Sequence, residues 1–243
     1  MKDLSVVIPA YNEVNRIERS LQRIQDYLTG RKLAFEVLVV DDGSGDGTAG
    51  VVEKIRSGFP ELKLVRLERN QGKGAAVKAG MLAAEGKFIL MSDADLSTPI
   101  EELEKMEKAL GQGFDIAIGS RRASGARIMR HQPWLREGIG VAFGFLTGLI
   151  VPTGFVDTQC GFKYFSREAA QKLFSLQTLK GLPFDIEILA LAERLGFKIV
   201  EVPVNWLDEA GSKVRPFAHL PRVIREVLQI RYNLWRGKYF EKG

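Results

Sequence analysis

Short, uninterrupted apolar runs that stop at polar turns are the feature that most limits how this chain can fold. Residues 4–9, 35–40, 62–67, 87–91 and 114–118 each read as a brief strand. Between them lie helical spacings over 13–28, 48–56, 72–84 and 99–110, with Pro99 suited to a first helical position. A strand without polar alternation has no face to offer water, so helices must cover both sides of it. Strands that alternate with helices build a parallel sheet through right-handed crossovers. The expected fold class is therefore α/β, a Rossmann-like, mainly parallel sheet with helices on both faces.

In such a sheet ligands bind just beyond the carboxyl ends of the strands. The run 87–91 delivers Asp93-Ala94-Asp95 to that edge. One or two carboxylates, completed by substrate phosphate oxygens, is how Mg2+ is usually held. Asp93 and Asp95 are thus candidate metal ligands, although alone the triplet reads equally well as a solvated cap. The first run ends in Pro9-Ala10-Tyr11-Asn12-Glu13 and the second in Asp41-Asp42-Gly43-Ser44. By itself the second motif is a turn with a capping Asp. Asn70-Gln71-Gly72-Lys73-Gly74 opens a helix whose free N–H groups can approach an anion. Ile118-Gly119-Ser120-Arg121 ends the fifth run.

After Ser120 the alternation stops. The 243 residues fit one domain, 1–243, with an accessory region at about 122–156 and a C-terminal amphipathic helix at about 217–238. The net charge of +5 is unevenly spread. Arg121, Arg122, Arg127, Arg130 and Arg136 fall in an acid-free stretch, and the tail from Lys213 is again basic. Such clusters point to an anionic partner such as phosphate or an acidic membrane surface. No nucleic-acid-binding motif accompanies them. Residues 138–156 carry no charge but hold five glycines and Pro152, which favours an interfacial or membrane-dipping element over a span. From Leu220 onward, Leu220, Val223, Ile224, Val227, Leu228, Leu234 and Trp235 read as one apolar face, with Arg222, Arg225, Arg236 and Lys238 elsewhere. That stripe serves core packing or an anionic interface equally well. Cys160 is the single cysteine, so no internal disulfide forms, and packing is its natural role. The start, Met1-Lys2-Asp3-Leu4, has no signal-peptide apolar region. The expected location is the cytoplasmic face of a membrane, with peripheral or monotopic contact.

Taken together, the strand-end motifs resemble family 2 glycosyltransferases of the GT-A fold. Asp157-Thr158-Gln159-Cys160-Gly161-Phe162-Lys163, Phe184-Asp185-Ile186-Glu187, and Val204-Asn205-Trp206 with Gly211-Ser212-Lys213 resemble the branch that loads a sugar onto dolichyl or polyprenyl phosphate. The similarity runs from about Val6 to the C-terminal helix. It implies that Pro9, Ala10, Tyr11 and Glu13 line a nucleotide-sugar pocket, that Asp41 faces base or ribose with Asp42 in the same nucleotide-sugar site, and that Gly72 and Lys73 close it. It sets Asp93 and Ala94 beside ribose or diphosphate and makes Asp95, with Asp93, hold Mg2+ or Mn2+. Arg121 and Arg136 would meet the acceptor phosphate, with Lys213 near the phosphates. Asp185 and Glu187 are candidates for binding sugar hydroxyls or for a general base. Ser97 stands where mannosyl relatives place a further metal-coordinating side chain.

The implied reaction is inverting, metal-dependent transfer of a sugar to a polyprenyl phosphate, with glucose from UDP-glucose favoured by the second-half motifs. A phosphate acceptor has a second pKa of about 6, so it needs no base at neutral pH. The alternatives are a GDP-mannose-dependent mannosyltransferase, a transferase with a non-lipid acceptor, and a non-enzymatic membrane module. Oligomeric state stays open.

Overall fold

The computed structural model describes residues 2–130, 138, 144, 146–208 and 216–240. The apolar runs become β1 (Lys2–Ala10), β2 (Phe35–Asp41), β3 (Leu62–Arg66), β4 (Gly86–Ser92) and β5 (Ile116–Ser120). Between them run α1 (Ile17–Thr29), α2 (Thr48–Arg56), α3 (Lys73–Ala83) and α4 (Leu103–Gly111), the last preceded by a 3₁₀ turn at Ile100–Glu102. The second half adds β6 (Arg127–Arg130), β7 (Phe162–Ser166), α5 (Arg167–Leu176), α6 (Phe184–Arg194), β8 (Ile199–Pro203), β9 (Asn205–Leu207) and α7 (Pro216–Arg236).

Every residue of β2 is buried, as its unbroken apolar sequence requires. Seven strands form one sheet in the order β3-β2-β1-β4-β7-β5-β8. All are parallel except β7, which runs antiparallel between β4 and β5. The pleat of β1 feeds two cores. Val6 and Ile8 pack with α1 and α4 residues such as Leu21, Ile24 and Met106, while Val7 packs with Met81, Phe174 and Leu189 of α3, α5 and α6. The chain winds from β1 out to β2 and β3, then returns to β4 on the other side of β1. That reversal is a topological switch point, so the ends of β1 and β4 flank a crevice.

Three features of the second half are set by tertiary packing. Residues 199–207 form two strands, β8 in the main sheet and β9 paired with β6 in a small separate one, with Val204 between them. Helix α5 was not legible as a helix from its sequence. It is started by Ser166, whose hydroxyl accepts from the Ala169 N–H. The C-terminal stripe is two stripes: Val223, Val227 and Ile230 are buried with Tyr239, whereas Leu228 and Trp235 lie outside. Five residues separate Val223 from Leu228, which turns them about 140° apart on a helix. In the accessory region, 146–150 is helical, with Thr147 buried and Leu146 and Leu149 exposed. Among the described residues no helix is long and apolar enough to cross a membrane. Arg136 and Lys213 lie outside the described residues.

Candidate active site

At the end of β1, Pro9 and Ala10 are buried and Tyr11 is exposed. Asn12 takes a left-handed turn at φ 55°, its N–H donating to Ser44 Oγ and its Oδ1 accepting from the Gly45 N–H. The Glu13 N–H donates to Thr48 Oγ1 at 2.8 Å, which ties this turn to the start of α2. The Glu13 carboxylate is forked by the Arg16 guanidinium through Nε and, at 2.8 Å, Nη2.

The two acids that end β2 have different surroundings. Asp41 is fully buried; Oδ1 accepts from the Ser44 N–H, but Oδ2 has no hydrogen-bond partner among the described residues. The nearest cation to that oxygen is Arg66 Nε at 3.9 Å. Asp42 spends both oxygens on backbone, accepting from the Gln71 N–H at 2.7 Å and the Gly72 N–H at 2.8 Å. Burial raises its pKa, against the pull of those amides. Each Asp42 oxygen thus takes part in shaping the loop before α3. Gly72 itself sits at φ 106°, and a Cβ there would fall 2.4 Å from the Lys180 carbonyl oxygen, so no side chain fits.

Lys73 follows, and its ammonium meets Asp93 Oδ1 at 2.6 Å. Burial acts to lower its pKa, but Asp93 and Asp185 outweigh that and raise it. Asp93 is accommodated by Gly161, since a Cβ on that glycine would lie 1.9 Å from Asp93 Oδ2. Ala94 is buried between the two acids. Asp95 accepts from the Ser97 N–H at 3.0 Å through Oδ1, and its Oδ2 lies 3.6 Å from Arg16 Nη1. Its pKa is raised, first by burial and then by the charge of Asp93. Among the described residues no cluster of three or more His, Cys, Asp or Glu forms. This donor set fits a hard cation held by one or two carboxylates and completed by diphosphate oxygens, not an all-protein cage.

The second-half acids are closed into the protein. Asp185 is buried, and its Oδ1 accepts from the fully buried Lys163 ammonium at 2.6 Å; Lys163 also donates to the Cys160 carbonyl. Burial raises the Asp185 pKa against the pull of Lys163 and Lys73. Glu187 has no exposure at all. Its Oε1 accepts from the Thr178 N–H, the Thr178 hydroxyl and the Tyr239 hydroxyl, and Oε2 from the Leu179 N–H. The expectation that it binds sugar hydroxyls or acts as a base gives way to a scaffolding role, because four donors already occupy it. Arg121 is held by Asp157 through its own N–H at 2.9 Å, Nε at 2.7 Å and Nη2 at 2.7 Å, and lies over the Trp206 ring. Burial works to raise the Asp157 pKa, yet the Arg121 hydrogen bonds hold it low. Beside this pair Arg122, Thr147, Thr158 and Gln159 line a shallow cavity. Arg16, three residues after Glu13, and the buried Lys163 join the site without being sequence-predicted site residues.

A carboxylate pair at the switch point of a doubly wound sheet, with a buried acid ending the neighbouring strand β2, fits a GT-A glycosyltransferase. Solved structures share the fold. Glucosyl-3-phosphoglycerate synthase from Mycobacterium tuberculosis in complex with phosphoglyceric acid superposes with a TM-score of 0.66 at 25% identity, over 95% of this chain and 79% of that one. Mannosyl-3-phosphoglycerate synthase from Rubrobacter xylanophilus gives 0.69 at 18% identity, over 100% and 77%. The family model Glycosyl transferase family 2 matches residues 5–174. Dolichyl-phosphate beta-glucosyltransferase of Mus musculus is 37% identical over 259 residues, spanning 100% of this chain and 80% of that protein. The Saccharomyces cerevisiae protein of the same name is 32% identical, over 97% and 76%. The chain belongs to glycosyltransferase family 2.

Proposed function

We propose that the chain transfers glucose from UDP-glucose to a dolichyl or polyprenyl phosphate, with inversion at the anomeric carbon, as one GT-A domain spanning 1–243. The observation that carries this reading is the Asp93/Asp95 pair at the β1/β4 switch point, with Asp41 at the end of β2, whose Oδ2 has no hydrogen-bond partner among the described residues. The choice of glucose and of a lipid phosphate rests on relatives named dolichyl-phosphate beta-glucosyltransferase at 32–38% identity. A neighbour of the same fold was crystallised with Mn2+, UDP-glucose and phosphoglyceric acid.

In this reading Pro9, Ala10, Tyr11 and Glu13 form one wall of the donor pocket, and Asp41 Oδ2 accepts from an N–H of the base or a hydroxyl of the ribose. Gly72 allows the opposite wall to come close, and Asp42 fixes that wall's amides. Asp95, aided by Asp93, would hold Mg2+ or Mn2+, which when bound supplies Lewis-acid help to the leaving diphosphate. Lys73 is cationic and placed beside Asp93, so it adds positive charge where the leaving group gathers negative charge. The attacking phosphate is largely dianionic at neutral pH and needs orientation more than a base. Arg121 and Arg122 both line the cavity suited to it. Arg136 and Lys213 are assigned to phosphates on the family resemblance.

A polyprenyl chain stays in the bilayer, since each CH₂ removed from water contributes about 0.8 kcal/mol. The outer face of α7 offers Leu228, Tyr232 and Trp235, the last 78% exposed, with Phe240 just beyond. Arg225, Arg236 and Lys238 are exposed beside them. An apolar stripe with basic flanks supports peripheral contact with an anionic, cytoplasmic-face membrane, and the accessory region 122–156 would share it.

The decisive assay follows radiolabelled sugar into organic-extractable lipid, using purified protein, polyprenyl phosphate in detergent and Mg2+ or Mn2+. Separate reactions contain UDP-glucose, GDP-mannose or UDP-N-acetylglucosamine. Label entering lipid from UDP-glucose alone is the expected result; label from GDP-mannose would replace the sugar, and none from any donor would end the lipid-acceptor reading.

A further inference from the structure

The Arg16 guanidinium is only partly spent. Glu13 engages Nε and Nη2, and Glu13 is itself fixed through its N–H on Thr48 Oγ1, so the orientation of the fork is set by two separate elements. The remaining nitrogen, Nη1, is buried and has no hydrogen-bond partner among the described residues. It points towards Asp95 Oδ2 at 3.6 Å, within ion-pair range but too far to count as a hydrogen bond. Simple pairing with Glu13 would not require that burial, and an unmade hydrogen bond on a buried donor is costly. The neighbouring acceptor, Asp93 Oδ1, is already held by Lys73. The Arg16 Nη1–H is therefore a donor at this edge with no acceptor among the described residues.

We propose that Arg16 is a donor-diphosphate ligand that competes with the divalent cation for Asp95 until the donor arrives. The assignment rests on the reading of Asp93 and Asp95 as the diphosphate and metal edge of a nucleotide-sugar site. A diphosphate oxygen brought to that edge receives the unspent Nη1–H, a pairing that guanidinium geometry suits. Before the donor binds, a cation 3.6 Å from Asp95 opposes a second, divalent cation at the same carboxylate. Once the diphosphate is present its charge accommodates both. Nucleotide and metal are then positively coupled, and each must raise the affinity of the other by the same factor.

The test is equilibrium binding, without turnover, to wild-type protein, Arg16→Gln and Arg16→Lys. Three titrations are run: Mn2+ alone, UDP in the presence of EDTA, and uridine followed by ligand-observed NMR. Arg16→Gln should bind Mn2+ about tenfold more tightly and UDP about tenfold more weakly, with uridine unchanged. Arg16→Lys, which keeps the charge, should leave Mn2+ affinity near wild type. The opposite signs are the signature, because a merely disturbed or misfolded site loses affinity for all three ligands. Unchanged UDP affinity in Arg16→Gln, or weakening of every ligand together, overturns the role of Arg16 alone. Wild-type protein that binds no UDP overturns the donor-site reading as well.

Discussion

The acids at the ends of β2 and β4 and the acids of the second half differ in how fully they are satisfied. Asp41 keeps a buried oxygen with no hydrogen-bond partner among the described residues, and an oxygen of Asp95 lies 3.6 Å from the Arg16 guanidinium. By contrast Glu187 accepts four hydrogen bonds and Asp157 three from Arg121. A buried acceptor left open costs free energy unless something outside the chain fills it. Saturation therefore separates scaffold from site more sharply than residue type does. Asp41 and Asp42 differ within one dipeptide, since both oxygens of the second hold backbone amides, those of Gln71 and Gly72.

The largest effect expected from this contrast belongs to Asp95→Asn. Turnover should fall on the order of 10³-fold, because the neutral amide weakens cation binding where the leaving group needs it. Thermal stability should hold or rise, since a buried charge beside Asp93 is removed. Near-normal turnover would erase the distinction between open and closed acids. Glu187→Ala should do the reverse. It leaves the Thr178 and Leu179 N–H groups and two hydroxyls without their acceptor and should cost about 3 kcal/mol in denaturant unfolding. Lost turnover with unchanged stability would restore Glu187 to the chemistry. Asp41→Asn sits between these. Weakening of UDP by about tenfold, with little change in stability, is the outcome the free Oδ2 requires; a titration of UDP against both proteins decides it.

This contrast explains what could be read in advance. Local periodicity is enough to find the strands that carry the site, and helix α2 falls at Thr48–Arg56, as its spacing predicts. The acids at the strand ends are legible for the same reason. Whether an acid is open is not, because its partners come from far along the chain. Glu187 is filled partly by Tyr239, and Asp42 by amides of the loop before α3. The antiparallel entry of β7 between β4 and β5 is likewise set by tertiary pairing, with no local signal. On α7 the sequence shows apolar residues, but only packing tells that Val227 faces the core and Leu228 the surface.

The smallest predicted effect probes how tightly the second half is sealed. Cys160 is buried next to Thr98, and its own carbonyl accepts from the buried Lys163 ammonium. Burial pushes its thiol from 9.0 to about 11, with the Asp157 charge adding to the rise. At pH 8 only about 0.1% is thiolate, so iodoacetamide should leave the native protein unmodified and label it fully in denaturant. The sign of the linkage follows from the raised value. The unfolded chain releases this proton first, so stability is intact below pH 9 and declines as pH rises towards 11. The loss should reach about 1 kcal/mol by pH 10, seen as the difference between wild type and Cys160→Ala in paired unfolding curves. Rapid labelling of the folded protein at pH 8, or parallel curves for the two proteins, would mean that this half opens to solvent as readily as the donor side.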